Sequence, residues 1–143
     1  MNGKLSISSR VRCPCCGYPT LSESAAYEIC ELCNWEDDGQ GQAAAGEVWG
    51  GPNSDYSLSE ARDNFERYRV MYAPGRDQRI SPGDSPLEYE TKGLLVEAFE
   101  RLELASGTDV NEIEANITRL EEVLAGELHR SVREYEARQR GKA

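Results

Sequence analysis

Two pairs of cysteines constrain this chain more than any other feature. Cys13-Pro14-Cys15-Cys16-Gly17 contains a C-P-x-C-G unit, and Cys30-Glu31-Leu32-Cys33 supplies a second C-x-x-C after thirteen intervening residues. Two residues between sulfurs let the backbone turn tightly enough for both to reach one ion, and two such pairs present four thiolates tetrahedrally. The spacing therefore points to one ion, read as structural zinc, on Cys13, Cys16, Cys30 and Cys33. Spacing alone does not tell zinc from iron, but ordinary burial gives no reason for such a pattern. A catalytic zinc keeps a position open for water and usually draws on histidine or carboxylate, whereas four thiolates close the shell. The only histidine, His129 beside Arg130, lies far along a predicted helix and reads as a solvated residue. Gly17 is expected to relieve crowding where backbone amides bend toward a sulfur.

Cys15 is left over. The residue between two knuckle ligands is expected to point outward, which makes Cys15 a candidate exposed redox thiol tuned by the metal's charge. The plainer reading is a small side chain filling space near the metal.

Nothing in the chain approaches the roughly 18 consecutive apolar residues of a membrane span, and the opening MNGKLSISSR lacks the apolar core of a secretory signal. A cytoplasmic protein with no membrane partner is expected. That compartment is reducing, and the odd count of five cysteines agrees with thiolates on a metal over disulfides. The formal net charge of -10 opposes nucleic-acid binding, which rests on Lys and Arg neutralising phosphates. From Glu23 to Glu60 the chain carries nine acidic residues and no Lys or Arg. Such a run suits the steering of a basic partner.

The pattern changes character near residue 56. The expected fold is α+β: a small four-cysteine zinc ribbon built on a β-hairpin, then three α-helices, the last two an antiparallel hairpin. The corresponding regions are a ribbon module with its first helix over 1–73, a linker loop over 74–85 and a helical hairpin over 86–140 packed on the module. Within the ribbon, the β-prone runs GYPTL and AAYEIC flank the turn-like SES and read as the hairpin. Residues 39–55 read as a glycine-rich loop anchored by Trp49.

Ser57 with Glu60 has capping-box spacing, and Leu58, Ala61, Phe65, Tyr68 and Tyr72 follow on one face, which predicts a helix over 58–72. RDQRISPGD reads as a polar loop. Ser85-Pro86-Leu87-Glu88 repeats the box with proline at the first helical position. Leu87, Leu94, Leu95, Ala98, Leu102 and Ala105 continue this second helix until Gly107. Asp109 with Glu112 is read as opening the last helix, whose apolar set is Val110, Ile113, Ile117, Leu120, Leu124, Leu128, Val132 and Tyr135. The short SGTD connection folds these two helices back on each other. No internal repeat is apparent beyond the recurring cap, and the basic tail EARQRGKA is expected to fray.

Immediately after the second knuckle comes NWEDDGQG. Trp35 is expected to pack beneath the hairpin while its indole N–H reaches a surface partner. A calcium loop is excluded, because setting Gly39 at position six puts Ala45 where a bidentate glutamate is required. The candidate partner-binding surface comprises Trp35, Glu36, Asp37, Asp38, Glu47, Trp49 and Asp55.

CPCCGYPTLSES, YEICELCNWEDD and SLSEARDNFERY, in this order over residues 11–72, resemble the bacterial cysteine-rich CPCC domain family. The resemblance implies a zinc-ribbon-like module without an established activity, similar in style to immunity proteins found beside bacterial toxins. The helical hairpin lies largely outside it. No nucleophile, base and oxyanion grouping is evident, so the chain is not expected to be an enzyme. The expected function is a zinc-binding protein-interaction module, an immunity protein or antitoxin that neutralises a basic toxin. The alternative is a redox or metal sensor using Cys15. A nucleic-acid-associated ribbon comes third, supported only by the cluster Arg62, Arg67, Arg69, Arg76 and Arg79. The oligomeric state is not legible.

Overall fold

The computed structural model describes residues 6–79 and 83–142; residues 80–82 of the expected polar loop lie outside the described residues, as do the first five and the last. The chain divides into two units, Met1–Pro74 and Gly75–Ala143. The first holds β1 (Val11–Arg12), β2 (Pro19–Leu21) and α1 (Leu58–Tyr68), with short 3-10 turns at Ile7–Ser9, Gln42–Ala44 and Gly51–Asn53. The second holds α2 (Pro86–Leu104) and α3 (Thr108–Arg140), which pack against each other. A two-stranded antiparallel hairpin is thus followed by three helices, the α+β arrangement expected. No helix among the described residues is long and apolar enough to cross a membrane.

The hairpin differs from the expected one. β1 pairs with β2 in the register Val11↔Leu21 and Arg12↔Pro19, with an irregularity between the two pairs. The turn therefore encloses the first cysteine pair, and AAYEIC is not the partner strand. The SES segment is instead a loop closed by Glu28, whose Oε1 accepts from both Ser22 N and Ser22 Oγ at 2.8 Å. Residues 28–30 pair around the second knuckle with 35–37: Cys30 N donates to Trp35 O at 2.9 Å and Asp37 N to Glu28 O at 3.0 Å. Each strand pair wraps its own metal-binding turn, because the turn sets the register before any longer-range pairing can.

The first unit's core gathers Leu21, Leu32, Trp35, Tyr56, Leu58, Ala61, Phe65 and Met71, all buried. Ser57 caps α1 by accepting from Glu60 N at 3.0 Å. The helix stops at Tyr68, not Tyr72, because Arg69 takes a left-handed φ of 62° and its N–H closes on Phe65 O. That stop turns the chain back: Met71 N donates to Cys33 O at 2.8 Å, and Asn64 Nδ2 donates to Met71 O at 2.8 Å. Tyr72, freed from the helix, sets its ring edge-on to Tyr56 at 5.7 Å.

In the second unit Ser85 and Glu88 form the complete capping box, with Pro86 in the first turn. Helix α3 starts on Gly107, at φ 64°, without a side-chain cap, so Asp109 is a first-turn residue favoured by the helix dipole and not the cap. Ser85 Oγ donates to Glu127 Oε2 at 2.6 Å, which places the start of α2 beside the middle of α3 and fixes the antiparallel sense. Much of the expected stripe is buried, with Phe99 added to it and three leucines left out. Leu95, Ala98 and Phe99 meet Ile113, Ile117, Leu120 and Leu124, while Leu87, Leu94 and Leu128 stay exposed. Charged groups are also buried in this unit: Lys92 Nζ lies 2.9 Å from Asp84, which also pairs with Arg79 at 2.6 Å. The tail is helical through Arg140 instead of frayed.

Candidate metal centre

The two cysteine pairs build the same backbone structure seventeen residues apart. In the first, Cys13 N donates to Tyr18 O at 3.0 Å and Gly17 N donates back to Cys13 O at 2.8 Å. In the second, Cys30 N donates to Trp35 O at 2.9 Å and Asn34 N to Cys30 O at 2.8 Å. Gly17 and Asn34 hold matching left-handed φ angles of 81° and 74°. The unit C-x-x-C-(Gly/Asn)-aromatic is therefore an internal repeat, contrary to the reading of the sequence. Its signal is Gly17-Tyr18 against Asn34-Trp35, the residues that tolerate positive φ followed by an aromatic. Gly17 is required by its φ and not by crowding, since a Cβ there would meet nothing within 4 Å.

These turns bring all four expected sulfurs within 4.8 Å of one another. Cys13 and Cys33 sulfurs are 3.6 Å apart and those of Cys16 and Cys30 3.8 Å apart. A tetrahedral ion bonded to sulfur at about 2.3 Å separates its ligands by about 3.8 Å, so the donor set fits a metal ion. Cys13, Cys30 and Cys33 are buried and Cys16 is half-buried. The sulfurs perturb one another strongly. The hydrogen bond with Cys13, then those with Cys30 and Cys33, push the Cys16 thiol up, and burial pushes Cys33 up. The bond with Cys16 acts to lower Cys13, but those with Cys30 and Cys33, together with burial, push it up. Against its own burial, Cys30 is held low by hydrogen bonds from Cys13, Cys16, Cys33 and Thr20. Four thiols this close, three of them buried, ionise together only if a cation compensates the charge, which a thiolate-binding metal ion supplies. Two further groups approach the Cys30 sulfur: Thr20 Oγ1 at 3.0 Å and the Cys33 N–H at 3.5 Å.

The centre is fastened to the rest of its unit. From α1, Arg62 Nε donates to Pro14 O at 2.9 Å, inside the first knuckle, and its Nη1 to Gln42 Oε1 at 2.7 Å. The ring of Phe65 meets Tyr18 edge-on at 6.3 Å. The second knuckle is held through Cys33 O, as described, and by Asn34 Nδ2 donating to the Tyr72 hydroxyl at 3.0 Å. Arg62, one of the cluster considered for nucleic acid, is thus committed to the metal centre's scaffold.

Cys15 corrects the expectation of an exposed thiol. It is 7% exposed and lies close to Cys33, so the first knuckle turns it inward. Trp35 is fully buried, and its indole N–H has no hydrogen-bond partner among the described residues, so it does not reach a surface partner. Asp37 is buried too: its carboxylate accepts from Ala25 N at 2.7 Å and Gly39 N at 3.3 Å, stapling two loops. Both leave the candidate partner surface for the same reason, namely that inward positions of the second strand pair alternate with outward ones. Glu36 and Asp38 are half-buried, and Glu47, Trp49 and Asp55 are exposed. Trp49 is not the anchor of its loop. That part falls to Gln40, whose Nε2 donates to Ala44 O and Glu47 O at 2.6 Å, and to Asn53, whose side chain exchanges two bonds with the Glu36 backbone at 2.7 and 3.0 Å.

The family model described as Cysteine-rich CPCC matches residues 11–85, just over half of the 143 residues. No curated protein and no solved structure matches. The matched span carries both knuckles, α1 and the return segment that closes on Cys33, and ends at the cap of α2. With its four-cysteine centre in that span, the chain belongs to the cysteine-rich CPCC family.

Proposed function

We propose that the ion is a single structural zinc and that the chain is a non-enzymatic protein-interaction module, an immunity protein or antitoxin that binds and masks a basic toxin. The observation that carries this reading is a four-cysteine centre in a chain whose stretch from Glu23 to Glu60 has nine acidic residues and no Lys or Arg. Four thiolates leave the ion no open position for substrate or water, so the metal serves the scaffold. A rigid scaffold displaying one sign of charge raises the encounter rate with the opposite sign and rejects like-charged competitors. Reduced thiolates suit a cytoplasmic site of action. A sensor role for Cys15 draws no support from a thiol that is only 7% exposed.

The test is affinity purification of the zinc-loaded full chain from its native host, identification of what co-purifies, and reconstitution from purified components. The expected result is a stoichiometric complex with a basic protein whose toxicity disappears on co-expression. A zinc-loaded chain that yields no stoichiometric protein partner contradicts the proposal.

A further inference from the structure

The second strand pair presents an outer face that the metal centre does not use. Ile29 and Glu36 oppose each other in an antiparallel bridge. Directly opposed residues share a face, and their neighbours Cys30 and Trp35 point to the buried side. Ile29 is 54% exposed, and Tyr27, two residues earlier, is 60% exposed. On the far edge of Glu36, the Asn53 side chain takes the place of a third strand, accepting from Glu36 N and donating to Glu36 O, and it also reaches Asp38 Oδ2 at 3.4 Å. This ties the segment that leads out of Val48 and Trp49 to the same edge. Val48 and Trp49 are 56% and 49% exposed, and the Trp49 indole donates to Glu47 Oε1 at 3.2 Å. The exposed apolar side chains are thus Ile29, opposite the half-buried Glu36, Tyr27 before it, and Val48 and Trp49 in the segment that leads to Asn53, with Glu36, Asp38 and Glu47 supplying acidic groups.

We propose that this face is the docking surface of the module and that its occupant is a cationic amphipathic segment of another protein, with apolar side chains on Tyr27, Ile29, Val48 and Trp49 and Lys or Arg on Glu36, Asp38 and Glu47. The inference rests on the interaction role proposed above and deepens it by naming surface and partner chemistry. Charge complementarity selects the occupant: nine acidic residues and no basic one lie between Glu23 and Glu60, so an acidic apolar segment, or a second copy of this chain carrying -10, would meet like charge. Exposed tryptophan, tyrosine and isoleucine supply the large, ordered contact area on which binding energy concentrates.

The experiment is an amide NMR titration of the zinc-loaded full chain with three short peptides: alternating Lys and Leu, alternating Glu and Leu, and alternating Lys and Ser. The Lys/Leu peptide is expected to shift residues 27–29, 36–38 and 47–53, with affinity falling as salt rises. The Ile29→Ser/Trp49→Ala double variant is expected to weaken that binding by on the order of tenfold or more while keeping its metal and spectral dispersion. Equal binding of the Glu/Leu peptide overturns the charge assignment, and equal binding of Lys/Ser overturns the apolar contacts. Shifts centred on the exposed leucines of α2 and α3 overturn the surface while leaving the interaction role standing. A concentration-dependent dimer that buries this face overturns the choice of occupant. Failure of the Lys/Leu peptide to shift any residue overturns the surface, whereas failure of the interaction role is read from the purification experiment.

Discussion

At the residue scale, the five cysteines divide four to one. Cys13, Cys16, Cys30 and Cys33 share one site, while Cys15 is a buried side chain beside it. Replacing Cys30, whose sulfur meets Cys16, Thr20 and the Cys33 N–H, is expected to abolish metal retention. Cys15→Ala is expected to keep one metal ion per chain and to cost no more than the small cavity it leaves, about 1 kcal/mol. Metal analysis of the two purified variants decides this, and thiol labelling of the loaded wild type should find Cys15 no faster than the ligands. Rapid labelling of Cys15 alone would return it to a redox role. Spacing made the four ligands legible because the turn that binds a metal is local. The burial of Cys15 was not legible, because the spacing of the ligands carries no record of what packs over the residue between them.

At the scale of elements, polar caps and ion pairs set where the helices begin and how they hold. The Arg130 hydrogen bonds, and then the one from Ser85, pull the Glu127 carboxyl down from 4.5 to about 2. Because the folded value is the lower one, this carboxylate's contribution is complete above about 4.5 and is lost as pH falls toward about 2. A side-chain carboxyl titration of Glu127 by NMR should show the low midpoint, and Arg130→Ala should move it upward. An unchanged midpoint would remove Arg130 as the cause. Asp77 is also held below its usual value: burial opposes the charge, but the Arg79 hydrogen bonds outweigh it. In mid-α3, Gly126 has helical backbone, and a Cβ there would meet nothing within 4 Å. Gly126→Ala should therefore stabilise the hairpin by about 0.5–1 kcal/mol in a denaturant melt. The caps Ser57 and Ser85 were readable from sequence because a cap is satisfied within three residues. The strand pairing was not, because two β-prone runs carry no record of which turn each one closes. Nor was the end of α1, which rests on one left-handed arginine, a conformation that composition does not announce.

At the scale of the whole molecule, the metal centre and the two-helix unit draw their stability from different sources. The second unit buries an apolar seam of its own. The first surrounds Trp35 and four thiols with short strands and 3-10 turns, too little regular structure to hold a turn-rich fold without a staple. Zinc binding of order 10 kcal/mol or more would then be folding free energy for this unit. Since α1 is tied to the first knuckle through Arg62 and to the core through Phe65, loss of the metal should melt α1 together with the knuckles. The most direct measurement is the amide NMR spectrum of the full chain before and after a strong chelator. Resonances across the first unit, including α1, are expected to collapse to unfolded positions while those of α2 and α3 keep their dispersion, and one equivalent of zinc is expected to restore the original spectrum. A first unit whose spectrum is unchanged by chelation would contradict a metal-dependent fold.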